Sequence, residues 1–220
     1  MHGIGYYGSA RVIRGYATVY YPGCVIIDPM NPIGGQTLLY IMRHGRTDWN
    51  DRHKLQGRTD IPLNEDGRQM AEKAAVEYRD IPLDVCWCSP LMRAKETAEI
   101  VLRGRHVPIL TDDRLREMSF GDYEGLENSF SIPDCPINVI FRAPEKYTAS
   151  VGGAETFEEL FSRTESFLRE VIDPLMEQGK NVLIVGHGAM NLSIISQIRN
   201  LPRSDFWSTG IENCKMIRLL

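Results

Sequence analysis

Apolar residues along this chain gather in two patterns. Leu38 to Met42, Val85 to Cys88 and Val182 to Val185 are short continuous runs, as expected of strands buried on both faces. Val107 to Leu110 is a further strand candidate. The stretches between follow helical spacing. Residues 65–78 place Met70, Ala71, Ala74, Ala75 and Tyr78 on one side, and residues 90–102 do the same with Leu91, Ala94, Ala98 and Val101. Ser89-Pro90 predicts a cap followed by proline at the first helical position. From Phe157 to Leu175, apolar residues recur at i, i+3, i+4 and i+7. Thr156 and Glu159 have capping-box spacing ahead of that helix, and Gly179 sits just past its expected end at 177. Residues 189–199 predict one more helix. Strands alternating with helices predict an α/β domain, with a mainly parallel central sheet flanked by helices on both faces.

Residues 1–36 read differently. Arg11 to Tyr21 and Cys24 to Ile27 are β-prone around Pro22-Gly23, which suggests a hairpin, and the prolines and glycines from Pro29 to Gly35 suggest a linker. The expected organisation is an N-terminal extension at 1–36 and one domain at 37–220.

Composition narrows the classes of function. With 43% hydrophobic and 25% charged residues over 220 positions, the chain suits a soluble globular protein. A net charge of −4 argues against a nucleic-acid partner, which would call for a basic field. No stretch approaches the roughly 20 apolar residues that span a bilayer, and the first residues lack the features of a signal peptide. The five cysteines are scattered, and Cys86 and Cys88 are too close for an ordinary disulfide. A cytoplasmic protein with reduced thiols is expected.

In parallel sheets ligands bind beyond the carboxyl ends of the strands. Arg43-His44-Gly45 follows the first apolar run, Ser89 to Arg93 the second, and Gly186-His187-Gly188 the run at 182–185. Two His-Gly pairs and two arginines therefore emerge at one sheet edge, where helix N-termini also offer free N–H groups. Glycine after each histidine lets the backbone approach a ligand. Taken singly, each His-Gly is a turn and each arginine a surface charge. Arg93, however, sits in the first turn of its helix, where the dipole disfavours a cation, and a bound anion would account for it. A phosphate monoester carries close to two negative charges that arginine pairs bidentately. Neutral imidazole can attack phosphorus, and a carboxyl beside an anionic phosphate is disposed to hold the proton that the leaving oxygen needs. Glu117 is the candidate acid, with Asp122 and Glu124 left open by spacing. His2, His53 and His106 have no comparable setting.

These residues resemble the histidine phosphatase superfamily, also called phosphoglycerate mutase-like. The similarity runs from about Thr37 to Leu220. It is carried by Arg43-His44-Gly45 with Thr47, Trp49 and Asn50; by Gln56-Gly57-Arg58 and Asp60 to Gly67; by Ser89 to Ala94 with Thr97-Ala98; by Leu115-Arg116-Glu117 with Gly121, Glu124 and Gly125; and by Gly153 to Thr156 and Gly186-His187-Gly188. The resemblance implies His44 as phosphorylated nucleophile, and Arg43, Arg93 and His187 as phosphoryl ligands. It implies Glu117 as general acid/base, with Asn50, Gly45, Arg58 and Gly188 as further substrate or phosphate contacts. No metal or organic cofactor is implied, and the expected partner is a small-molecule phosphate ester. Position 46 departs from the family pattern, being Arg where many members have Glu or Gln. The stretch Leu126–Val151, where relatives differ in a lid, lacks an adjacent arginine pair, which favours a phosphatase over a phosphoglycerate mutase. An α-ribazole phosphate-type phosphatase, a metallohydrolase built on His44 and His187, and a non-enzymatic phospho-ligand-binding protein are the competing expectations.

Overall fold

A computed structural model describes residues 37–220; the hairpin and linker expected within 1–36 lie outside the described residues. A five-stranded sheet runs in the order β3-β2-β4-β1-β5. Its strands are β1 (Leu39–Arg43), β2 (Val85–Cys88), β3 (Ile109–Thr111), β4 (Val182–Gly186) and β5 (Met216–Arg218). The first four are mutually parallel, and β5 runs antiparallel to β1. Side chains alternate across a strand, so the continuous apolar runs feed two cores. Leu39, Ile41, Val182 and Ile184 enter one, and Tyr40, Met42, Leu183 and Val185 the other. The first core is closed by α5 (Phe157–Phe167), the π-helical turn Leu168–Ile172 and α7 (Gly188–Arg199). The second is closed by α2 (Glu65–Glu77) and α3 (Met92–Val101). The expected α/β architecture, with helices on both faces, is what the chain forms.

Several boundaries differ from expectation. The helix after β2 starts at Met92, with Leu91 as its N-cap rather than Ser89. Asp60 caps it from a distant loop instead, its Oδ1 accepting the Met92 N–H at 2.7 Å. The strand expected at Val107–Leu110 is Ile109–Thr111, a half-exposed edge. The long helix from Phe157 has the expected capping box on Thr156 and Glu159, but is interrupted by the π-helical turn before α6 (Asp173–Glu177). Pro174 offers no N–H to an α-helical ladder, and a local change of hydrogen-bond register absorbs that loss. Gly179, at φ 75°, ends the helix. Its N–H donates to Met176 O, and the Lys180 N–H donates to Leu175 O, the paired bonds of a Schellman motif. Strand β5 was not anticipated.

Between Thr111 and Phe157 the chain holds only 3-10 turns and α4 (Val139–Arg142). Phe141 there packs on Phe120, Phe130 and Trp207. Arg142 lies over the Phe130 ring, 5.5 Å from its centroid.

Candidate active site

The register of the central strands assembles the site. Arg43 pairs with Gly186 and Cys88 with Val185, so His44, His187 and Ser89 leave the sheet side by side. The His44 N–H continues the ladder to Gly186 O at 2.9 Å. His44 is 3% exposed and His187 is wholly buried, with ring centroids 5.1 Å apart.

His44 Nδ1 lies 2.6 Å from Gly45 O. A carbonyl only accepts, so Nδ1 carries the proton and the lone pair falls on Nε2. That Nε2 faces Arg93, whose Nε donates to it at 3.3 Å. Burial, reinforced by Arg93 and Arg43, holds His44 well below the usual imidazole range. Burial and the same arginines do so for His187. Both rings are neutral near pH 7.

Arg93 is completely buried. Its guanidinium is anchored on Gly57 O at 2.8 Å and Thr59 O at 2.9 Å. Burial pushes its pKa down to about 10, against the opposing pull of Glu117 and Asp60, so it remains a cation. Arg43 is lowered by burial, again opposed by Glu117, and donates from Nη1 to Ile211 O at 3.0 Å. Arg43 Nε and both ring nitrogens of His187 are buried without a protein partner. Buried polar atoms usually find partners, and these three belong to the residue before His44 and to the histidine whose ring lies 5.1 Å from it.

Glu117 separates from the other carboxylates of its segment. Its Oε1 accepts from Met118 N at 2.8 Å and Met190 N at 2.9 Å, and Oε2 from Ala189 N at 3.2 Å. It therefore sits at the N-terminus of α7, beside His187. Asp122 is exposed. Glu124 serves the loops: it accepts from the N–H groups of Arg58, Thr59 and Phe120 and from the Thr59 hydroxyl. Gly188 lies between Glu117 and Arg43. A Cβ there would stand 3.5 Å from Glu117 Oε2 and 4.0 Å from Arg43 Cζ.

Three of the expected contact residues are engaged within the protein itself. Gly45 was expected to let the backbone approach a ligand. Instead a Cβ there would meet Gly67 O at 2.5 Å, and its N–H is taken by Thr97 Oγ1 at 3.0 Å, so its smallness serves packing. Arg58 turns to Glu155 at 3.2 Å and to the Glu117 carbonyl. It lines a pocket of about 390 Å³ with Arg163, Ser119 and Glu159. Asn50 closes a capping box with Thr47 at the start of α1 (Asp48–Asp51). Its Oδ1 is committed to Thr47, which leaves the amide Nδ2 as its donor. Arg46 is exposed and paired with Asp51 at 3.2 Å. Sequence reasoning also gave no role to Thr97 or to the C-terminal residues Ile211 and Asn213. The Asn213 Nδ2 donates to His44 O at 2.6 Å. The only signal for Asn213 was its place just ahead of a last apolar run.

Among the described residues no three His, Cys, Asp or Glu side chains gather in a way that could hold a metal ion. None of their helices is long and apolar enough to cross a membrane.

Two histidines, two arginines and a carboxyl group thus gather where the parallel strands end. Residues 39–220 match the histidine phosphatase superfamily (branch 1), and the chain belongs to that family. It is 36% identical over 162 residues to the uncharacterized phosphatase PhoE of Bacillus subtilis (strain 168), covering 74% of this chain and 77% of that one. It is 29% identical over 170 residues to a 2,3-bisphosphoglycerate-dependent phosphoglycerate mutase of Cytophaga hutchinsonii, covering 76% and 80%. Among solved structures, YhfR of Bacillus stearothermophilus superposes with a TM-score of 0.75 at 32% identity, over 83% of this chain and 90% of that one.

Proposed function

We propose that this protein is a metal-independent phosphomonoesterase that hydrolyses small phosphate esters through a phosphohistidine on His44. The observation that carries the reading is the tautomer of His44: Nδ1–H is committed to Gly45 O, and the unprotonated Nε2 faces Arg93 in a buried site. Nε2 attacks phosphorus as the ester P–O bond breaks. Arg43 and Arg93, with an N–H of neutral His187, take up the charge on the phosphoryl oxygens, as preorganised donors do in transition-state stabilisation. The Asn50 amide and the open face at Gly188 are further contacts. Glu117 gives its proton to the departing alkoxide. It then removes a proton from water, whose oxygen attacks phospho-His44, releasing inorganic phosphate and restoring the imidazole.

Hydrolysis is favoured over phosphoryl return to the product by the lid. Its arginine, Arg142, is stacked on Phe130, and Lys146 is exposed, so neither forms a paired clamp for a second anionic group. The four described cysteines are buried free thiols, which supports a reducing, cytoplasmic setting. We assign residues 37–220 as the phosphatase domain and 1–36 as an extension to it, with neither nucleic acid nor membrane as a partner.

The test is hydrolysis of p-nitrophenyl phosphate in excess chelator by the parent and by folded His44→Ala. Chelator-resistant turnover that disappears with His44 supports the mechanism. Turnover lost to chelator and restored by Zn²⁺ or Mg²⁺ overturns it.

A further inference from the structure

The peptide joining His44 to Gly45 is gripped from both ends. Its carbonyl accepts from Asn213 Nδ2 at 2.6 Å, and its N–H donates to Thr97 Oγ1 at 3.0 Å. Thr97 in turn donates to the Arg93 carbonyl at 2.6 Å, which ties one jaw of the grip to the helix bearing Arg93. The next carbonyl along, Gly45 O, receives the His44 Nδ1–H. The direction in which Nε2 points is thus set by the imidazole's bond to Gly45 O, and the position of Gly45 O is set by the gripped peptide.

The other jaw belongs to the C-terminal segment. Ile211 O accepts from Arg43 Nη1 at 3.0 Å, and Cys214 N donates to Arg43 O at 2.9 Å. Asn213 bridges to Arg43. Cys214 holds a left-handed conformation, φ 57°, although it has a side chain. Such a conformation costs energy unless its surroundings enforce it. Here it turns the chain between Asn213 and β5, whose pairing of Met216 with Met42 fixes the strap against β1.

We propose that Asn213 is a positioning residue for the nucleophile, aiming His44 Nε2 through the His44–Gly45 peptide, within a strap (Ile211–Cys214) that also seats Arg43. The inference rests on His44 being the nucleophile. An attacking atom displaced by about 1 Å can cost roughly 100-fold in rate. A carbonyl that merely loses its partner costs stability and leaves the rate of folded molecules alone.

The experiment measures kcat and KM separately on p-nitrophenyl phosphate, with circular dichroism and Tm, for the parent, Asn213→Ala, Asn213→Asp and Glu212→Gln. Glu212 is the exposed neighbour and should behave as the parent does. Asn213→Ala should lower kcat about 10- to 100-fold while KM stays within about three-fold. Asn213→Asp keeps the shape but sets an oxygen against the His44 carbonyl, and should lose more. Folded variants with kcat within about three-fold of the parent, or a loss carried by KM alone, would overturn the inference. If Asn213→Ala does not fold, Asn213→Asp decides by the same criteria. An inactive parent, or a His44→Ala that keeps its turnover, overturns both the inference and the reading beneath it; an active parent with indifferent Asn213 variants overturns the inference alone.

Discussion

The two halves of the site are built by different means. His44, Arg43 and His187 leave adjacent strand ends and are fixed by sheet register and backbone bonds, such as His44 N to Gly186 O. The half that carries Glu117 lies in the stretch between Thr111 and Phe157, where no helix exceeds four residues. Buried and half-buried carboxylates hold that half in place of a ladder. Glu124 gathers the 57–59 and 119–120 loops. Glu155 receives Arg163 through both oxygens, Arg58 through Oε1 and the Ser119 N–H through Oε2. A sheet tolerates the loss of one side chain, because its backbone carries the geometry. A loop organised on one carboxylate does not.

That contrast orders the expected effects of mutation. Removing the proposed nucleophile should be the most severe: His44→Ala should lower kcat by about 10⁴-fold or more, in the range seen when nucleophiles are deleted, while the sheet and the Tm change little. Arg93→Ala should follow, with kcat/KM down roughly 10²- to 10³-fold. Its thermal stability will fall as well, because Gly57 O and Thr59 O lose their partners. An Arg93→Ala within a few-fold of parental activity would remove Arg93 from the proposed phosphoryl clamp. Glu124→Ala tests the loop half. It strips the acceptor from three N–H groups and the Thr59 hydroxyl, so unfolding free energy should drop by about 2–3 kcal/mol in denaturant titrations. Activity should fall too, since the same loop carries the carbonyls that anchor Arg93. A Glu124→Ala that unfolds like the parent would break the comparison between the halves.

The same division governs what could be read from the sequence. Strand ends were legible because continuous apolar runs mark buried parallel strands, and Arg43, His44, Arg93 and His187 follow them directly. Glu117 was legible only beside Asp122 and Glu124. What separates the three is exposure and the α7 N–H groups at Ala189 and Met190, a contact across some seventy residues of chain that no local pattern encodes. Gly45 and Arg58 carry the right motif, but tertiary neighbours, Gly67 and Glu155, engage them. Strand β5 and Asn213 escaped because a three-residue edge strand leaves no periodicity to count. The start of α3 was displaced by a cap, Asp60, that lies 32 residues away.

The smallest expected effect concerns pH. Burial keeps His44 and His187 neutral in the folded protein, well below their ordinary value of 6.5. In the unfolded chain both take up protons as pH falls through that value. Below it the unfolded state binds more protons, so unfolding free energy rises with pH in this window and is lost as pH falls. The carboxylates lowered by their partners, among them Asp112 and Glu170, begin to contribute only near their own ordinary values of 3.8 and 4.5. Between about pH 6.5 and 5 the slope therefore belongs largely to histidines. Tm should fall by several degrees across that window in the parent, a loss of a kcal/mol or so corresponding to about 2–4 °C at this size. His187→Asn, which cannot titrate, should show a shallower fall. The turnover of the parent should not show an acid limb near 6.5, because His44 stays unprotonated there. An equal fall in Tm for parent and His187→Asn would mean that His187 is not held neutral by the fold, and its proposed role as a phosphoryl ligand would have to be reassigned.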